Sequence, residues 1–134
     1  MNKLKAPSAT PVNELWDGIL LLSIFGTIDS SRSQEMMETM LAKVIDTNAK
    51  VIVLDIIGVA VVDSAVANHL LKIGRAIKLV GAETIISGIS AEVAMTLVEL
   101  GIDLKSTVST SNLSDALRLA FDQSGYKITK SEQQ

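Results

Sequence analysis

The sequence predicts one α/β domain, a mixed four- to five-stranded sheet with about four helices packed on it. Three observations predict it. Short runs rich in valine and isoleucine alternate with longer stretches of helical period, an Asp-Gly turn near the start joins two such runs as a hairpin, and glycines or capping residues mark the boundaries. At 134 residues the chain is long enough for one core and too short for two.

The elements follow in order. Ala9 to Leu15 forms a first extended segment, Trp16-Asp17-Gly18 turns the chain, and Ile19 to Phe25 returns as a strand of isoleucine and leucine. After Asp29 or Ser31 as cap, Met37, Met40, Leu41, Val44 and Ile45 share one helical face while Arg32, Glu35 and Asp46 lie off it. Val51 to Ile57, apolar but for Asp55, has the pattern of a central parallel strand buried on both faces. A second helix over Ser64 to Leu79 carries Val66, Leu70, Ile73 and Ile77 and stops at Val80-Gly81. Thr84 to Ser87 is a short strand. Ser90 caps a third helix bearing Val93, Ala94, Leu97 and Val98, and Leu100-Gly101-Ile102 has the form of a Schellman ending. Val108 marks a polar edge strand. Asn112 and Asp115 open a fourth helix, in which Leu113, Ala116, Leu117, Ala120 and Phe121 keep the i, i+3, i+4, i+7, i+8 spacing. The domain proper is expected over residues 11–124, between a flexible N-terminal segment, 1–10, and a polar C-terminal tail, 125–134.

Composition removes several classes of function. Fifteen acidic against 12 basic residues give a net charge of −3 with no basic block, so nucleic acid is a poor partner. The longest apolar stretch, Ile56 to Val62, is far below the 18 or so residues of a membrane span. No apolar h-region follows Lys3 and Lys5, so a cytoplasmic location is the expectation. With no cysteine there is no disulfide, thiolate metal site or thiol nucleophile. A mean hydropathy of +0.38 with 3% aromatics indicates abundant small aliphatic side chains, which points to burial between subunits.

Enzyme chemistry finds no foothold. The lone histidine, His69, sits inside the second helix with no His, Asp or Glu three or four residues away, so it suits neither a triad nor a metal site. The eight glycines are scattered and form no phosphate-binding loop. Asp55 lies near the end of a strand, as a receiver-domain phospho-acceptor does, but the preceding Leu20-Leu21-Leu22-Ser23 run lacks the acidic metal ligands such a site needs; binding to loop amides is its expected role. No cofactor is expected. What remains is a pair of Asp-Ser steps at helix starts, Asp29-Ser30 and Asp63-Ser64. A phosphate there meets unpaired N–H groups and the positive end of the helix dipole. Ser64, Asn68, Lys72 and Arg75 follow helical spacing opposite the apolar face, an exposed polar stripe for a partner. The competing role for both serines is to help Asp29 and Asp63 as caps.

The stretch Val53-Leu54-Asp55-Ile56-Ile57-Gly58-Val59-Ala60-Val61-Val62-Asp63-Ser64, with Gly81-Ala82-Glu83-Thr84, Ser87-Gly88-Ile89 and Thr96-Leu97-Val98-Glu99-Leu100-Gly101-Ile102-Asp103-Leu104, resembles STAS domains of bacterial anti-sigma-factor antagonists. More narrowly it is similar to the RsbR and RsbS proteins of the stressosome, and Gly26-Thr27-Ile28-Asp29-Ser30 is closer to the RsbR branch. The resemblance runs from about Pro11 to Phe121 and implies the STAS (SpoIIAA-like) fold.

It also implies a function. In that family the residue after the aspartate of the Val-Asp-Ser/Thr step is phosphorylated by a switch kinase, which falls on Ser64; the RsbR branch has a second site, which falls on Ser30. Both are often threonine there. Ile57 replaces a hydroxyl residue of many relatives, so no third site is carried over. The implied role is a non-catalytic scaffold that joins RsbS/RsbR-type paralogues in a homo-oligomer or large hetero-oligomer, sequesters an RsbT-type serine/threonine kinase and releases it on phosphorylation. A SpoIIAA-type antagonist binding an anti-sigma kinase directly, and a small-ligand or nucleotide-binding module, are the alternatives. RsbR proteins carry an N-terminal sensory domain, whereas here only residues 1–10 precede the STAS segment, as in a STAS-only paralogue or a piece of a longer protein.

Overall fold

The structure is a computed structural model and describes residues 11–104 and 107–132. The segment 1–10 lies outside the described residues. Among the described residues five strands form one sheet in the order β1-β2-β3-β4-β5: β1 Val12–Trp16, β2 Ile19–Gly26, β3 Val51–Val59, β4 Glu83–Ser87 and β5 Val108–Ser109. The β1–β2 pair is antiparallel and the others are parallel, so the sheet is mixed as expected. The hairpin turns at Asp17-Gly18, with Trp16 facing Ile19.

Helices α1 (Ser30–Thr47), α2 (Ser64–Leu79) and α3 (Ala91–Glu99) each link one parallel strand to the next in the same direction. Crossovers of one hand must then place all three on one face of the sheet. Met36, Met40, Leu70, Ile73 and Leu97 accordingly share a core with Leu20, Leu22, Ile52 and Leu54. Alternate strand residues point the other way, where Ile19, Val51, Val53 and Ile85 receive Ala116 and Ala120 of α4 (Leu113–Gln123). Central β3 is buried on both faces because both layers cover it, which accounts for its unbroken apolar run.

Two apolar faces differ from the expected ones. In α1 the buried set is Ser33, Met36, Met40 and Val44, with Met37 and Leu41 half-buried, whereas Ile45 is 66% exposed. At about 100° per residue, Ile45 lies nine positions and half a revolution from Met36, on the solvent side. In α3 only Leu97 is buried and Val93 half-buried; Ala94 and Val98 face out, because no element among the described residues covers that side of the helix. The α3 ending is the expected Schellman motif, with Ile102 N–H donating to Leu97 O and Gly101, at φ 70°, to Val98 O.

Trp16, Phe121 and Tyr126 meet edge to face, with ring centroids 5.7 to 6.1 Å apart. This cluster closes the hairpin end of the sheet and ties the segment after α4 to β1.

Candidate functional site

The two Asp-Ser steps lie together at the other end. β2 and β3 are parallel neighbours, so the loops leaving their carboxyl ends emerge side by side, and each opens a helix. Gly26 pairs with Val59, and Ala60 N–H donates to Gly26 O at 2.8 Å, joining the two loops. Asp29 caps α1 by accepting from Arg32 N–H at 2.8 Å; Asp63 caps α2 by accepting from Val66 N–H at 2.9 Å. Ser30 and Ser64 are therefore the first helical residues and both are exposed. The aspartates occupy the amides three positions in, which leaves those of the first two helical residues, the serine's own included, without an intrahelical partner.

Capping falls to the aspartates, and the competing role for the serines loses its geometry. Asp63→Ala is expected to lower stability by about 1 kcal/mol, and Ser64→Ala to change it by less than about 0.5 kcal/mol. Urea denaturation of both variants checks this; an equal loss in the two would make Ser64 part of the cap.

Around this pair the surface is divided by charge. Asn68, Lys72 and Arg75 are exposed along α2, as expected, and Lys78 extends the basic stripe. On the other side of Ser64 an open groove of about 400 Å³ runs between the β3–α2 loop and α3, lined by Val61, Val62, Val93 and Leu100 with Asp63 and Glu92. Val61, at its rim, is 64% exposed. Two features of this end were not foreseen: this groove, and Arg32, whose guanidinium donates to Phe25 O and, at 2.8 Å, to Thr27 O, bracing the loop before Ser30. A single arginine two residues after a serine carries no sequence signal for such a role.

Asp55 behaves differently from the expectation. β3 continues past it to Val59, so it lies within a strand, in register with Ser23 and Ser87 on its neighbours. Its Oδ1 accepts from buried Ser87 Oγ at 3.0 Å and, more distantly, from Ile57 N–H at 3.5 Å. It is a buried strand-to-strand brace more than a loop ligand. His69 is half-buried on α2, and among the described residues no group of three or more His, Cys, Asp or Glu stands close enough to hold a metal. No helix among the described residues is long and apolar enough to cross a membrane.

Compared with known proteins, residues 10–118 match the STAS domain family. The chain belongs to the STAS family. Its STAS domain is 35% identical over 120 residues to the RsbT co-antagonist protein RsbRA of Bacillus subtilis, a match covering 90% of this chain and 44% of that protein. The chain thus spans less than half the length of this curated relative. Among solved structures, RsbS of Moorella thermoacetica superposes with a TM-score of 0.73 at 30% identity, over 88% of this chain and 99% of that one. A chain from the structure of the stressosome, described as a signal integration and transduction hub, gives 0.66 at 27% identity over 85% and 98%. The expected STAS fold and the likeness to the RsbR branch therefore both hold, and the likenesses support a stressosome-type regulatory role for the STAS domain.

Proposed function

We propose that this STAS domain is a non-catalytic, phosphorylation-switched scaffold of a cytoplasmic stressosome-type complex. In this reading it assembles with RsbS/RsbR-type paralogues, sequesters an RsbT-type serine/threonine kinase, and releases it when Ser64 is phosphorylated, with Ser30 as the second site. The observation that carries the reading is the pair of exposed serines, each the first residue of an Asp-capped helix, on adjoining loops at one end of the sheet. A seryl phosphate of about −1.5 to −2 charges is tolerated there by the helix dipole and alters the surface without a change of fold. Asp29 and Asp63 hold the serines in place; Asn68, Lys72 and Arg75 supply the partner's footing.

The test is to incubate the chain with an RsbT-type kinase and ATP and map the phosphate by peptide mass spectrometry. Label on Ser64 and Ser30 is expected. Label confined to other hydroxyls, such as Ser131, overturns the reading.

A further inference from the structure

A small cavity lies between the C-terminal half of α2, the start of β4 and the residue before β5, away from the serines. It holds about 90 Å³, room for one tetrahedral oxyanion or about three waters and too little for a nucleoside. Thr84, on its inner side, gives the first sign of a ligand. The residue is 9% exposed, and its Oγ1 is buried with no hydrogen-bond partner among the described residues. An unpaired buried hydroxyl is costly, so such an atom calls for a partner. Gly74 gives the second sign, independent of the first. It sits inside α2, where glycine weakens a helix relative to alanine, and it is not one of the positive-φ glycines, so its backbone does not require it. Nor does packing: among the described residues, the atoms nearest to a Cβ there would be Thr84 Oγ1 and Thr107 Oγ1, each at 3.9 Å, an ordinary contact. What the missing side chain preserves is the open space beside both hydroxyls.

We infer that this cavity binds a small oxyanion, either inorganic phosphate or the phosphoryl group of a small metabolite. Thr84 and Thr107 donate their hydroxyls to its oxygens, while Arg75 and Lys78, exposed at the rim, offset its charge. Glu83 is the one acidic residue of the lining, and it stands 3.9 Å from Lys78 in a weak pair of exposed side chains. An anion therefore meets a rim of net positive charge. The carbonyls at the end of α2, the negative pole of that helix, are already engaged: Ile77 O accepts from Val80 and Ala82 N–H, and Lys78 O from Gly81 N–H. A metal ion, by contrast, would have to settle beside both cations. Arg75 lies 11 positions after Ser64, about 16 Å along the helix. The inference goes beyond the proposed function, for it requires neither a phosphorylated serine nor a kinase.

The experiment is an NMR titration of the full, unphosphorylated, isotope-labelled chain with inorganic phosphate, the ionic strength held constant with chloride. Saturating shifts of the Gly74, Thr84 and Thr107 amides are expected at millimolar phosphate or below. Thr84→Val, which keeps the shape and removes the hydroxyl, and Arg75→Gln are each expected to weaken binding about tenfold. Gly74→Ala fills the space and is expected to weaken it at least as much while melting no lower than wild type. A melting curve of each variant identifies any loss of fold; should Thr84→Val not fold, Arg75→Gln, at an exposed position, carries the test. Glycerol phosphate in place of phosphate separates the two sources. Tighter binding than the ion's points to a phosphorylated metabolite, equal or weaker binding to the free ion, and both support the site. The inference is overturned by shifts that stay linear with concentration, by shifts confined to Ser30 and Ser64, or by variants that bind as wild type does. Each of these makes water the occupant of the cavity and leaves the proposed kinase switch untouched.

Discussion

Gly88→Ala is expected to cost about 3 kcal/mol, a large part of the roughly 5–15 kcal/mol that holds a domain of this kind together. Gly88 follows β4 at φ 85°, a conformation that burdens any residue with a Cβ by about 1 kcal/mol or more. The methyl group also has nowhere to go. It would stand 2.6 Å from Ile57 N and 2.8 Å from Asp55 Oδ1, the first a backbone atom of central β3 and the second the acceptor for Ser87. Relief requires that two strands part or that the Asp55–Ser87 bond break, and overpacking of this sort costs about 1–3 kcal/mol. Gly81→Ala isolates the conformational part: Gly81 has φ 94°, but among the described residues nothing lies within 4 Å of where its methyl group would stand, so about 1 kcal/mol is expected. Denaturant titration of the two variants gives the comparison. Equal losses would show that strand β3 yields freely at Ile57.

Ser64→Asp is expected to reduce affinity for the proposed kinase partner about tenfold or more while leaving the melting curve nearly unchanged. Ser64, Asn68 and Lys72 are one helical turn apart in succession, and Arg75 continues the line. A partner seated on Lys72 and Arg75 presents acidic groups to them, so negative charge introduced at Ser64 meets like charge across the interface. Within the chain the same charge lies at a helix N-terminus, where the dipole favours it by about 0.3–1 kcal/mol against the nearness of Asp63. Full phosphorylation carries about twice the charge and should act more strongly; Ser64→Ala should bind and resist release. Calorimetric titration with the kinase checks the series. Loss of binding in Ser64→Ala would make the hydroxyl a contact residue, and unfolding of Ser64→Asp would make it structural.

Much of this was legible in the sequence, for a physical reason. The caps Asp29, Asp63, Ser90 and Asn112 act through local hydrogen bonds three residues ahead, so neighbouring letters suffice to place the helix starts and the serines upon them. Val66, Leu70, Ile73 and Ile77 are likewise legible because α2 is long and packs along its whole length. Ile45 and Val98 were misplaced because hydrophobicity reports what a residue tolerates, whereas burial depends on whether another element lies opposite. Asp55 and Gly88 were out of reach for a related reason. Their roles arise where β3 meets β4, more than 30 residues apart in sequence for the Asp55–Ser87 bond, and no local pattern encodes that register.

Trp16 is the only tryptophan in the chain, and its place at the hairpin turn makes it an optical reporter with a one-sided view. The eight residues of β2 hold it about 25 Å from the loops that carry the serines. Its fluorescence therefore follows loss of the hairpin or of α4, and is blind to charge added at Ser64. Through Tyr126 it also adjoins the groove that Leu119 of α4 forms with Tyr126 and Ile128, so a change of emission in a phosphorylated sample at constant fold signals an event at the far end of the molecule, without any label attached.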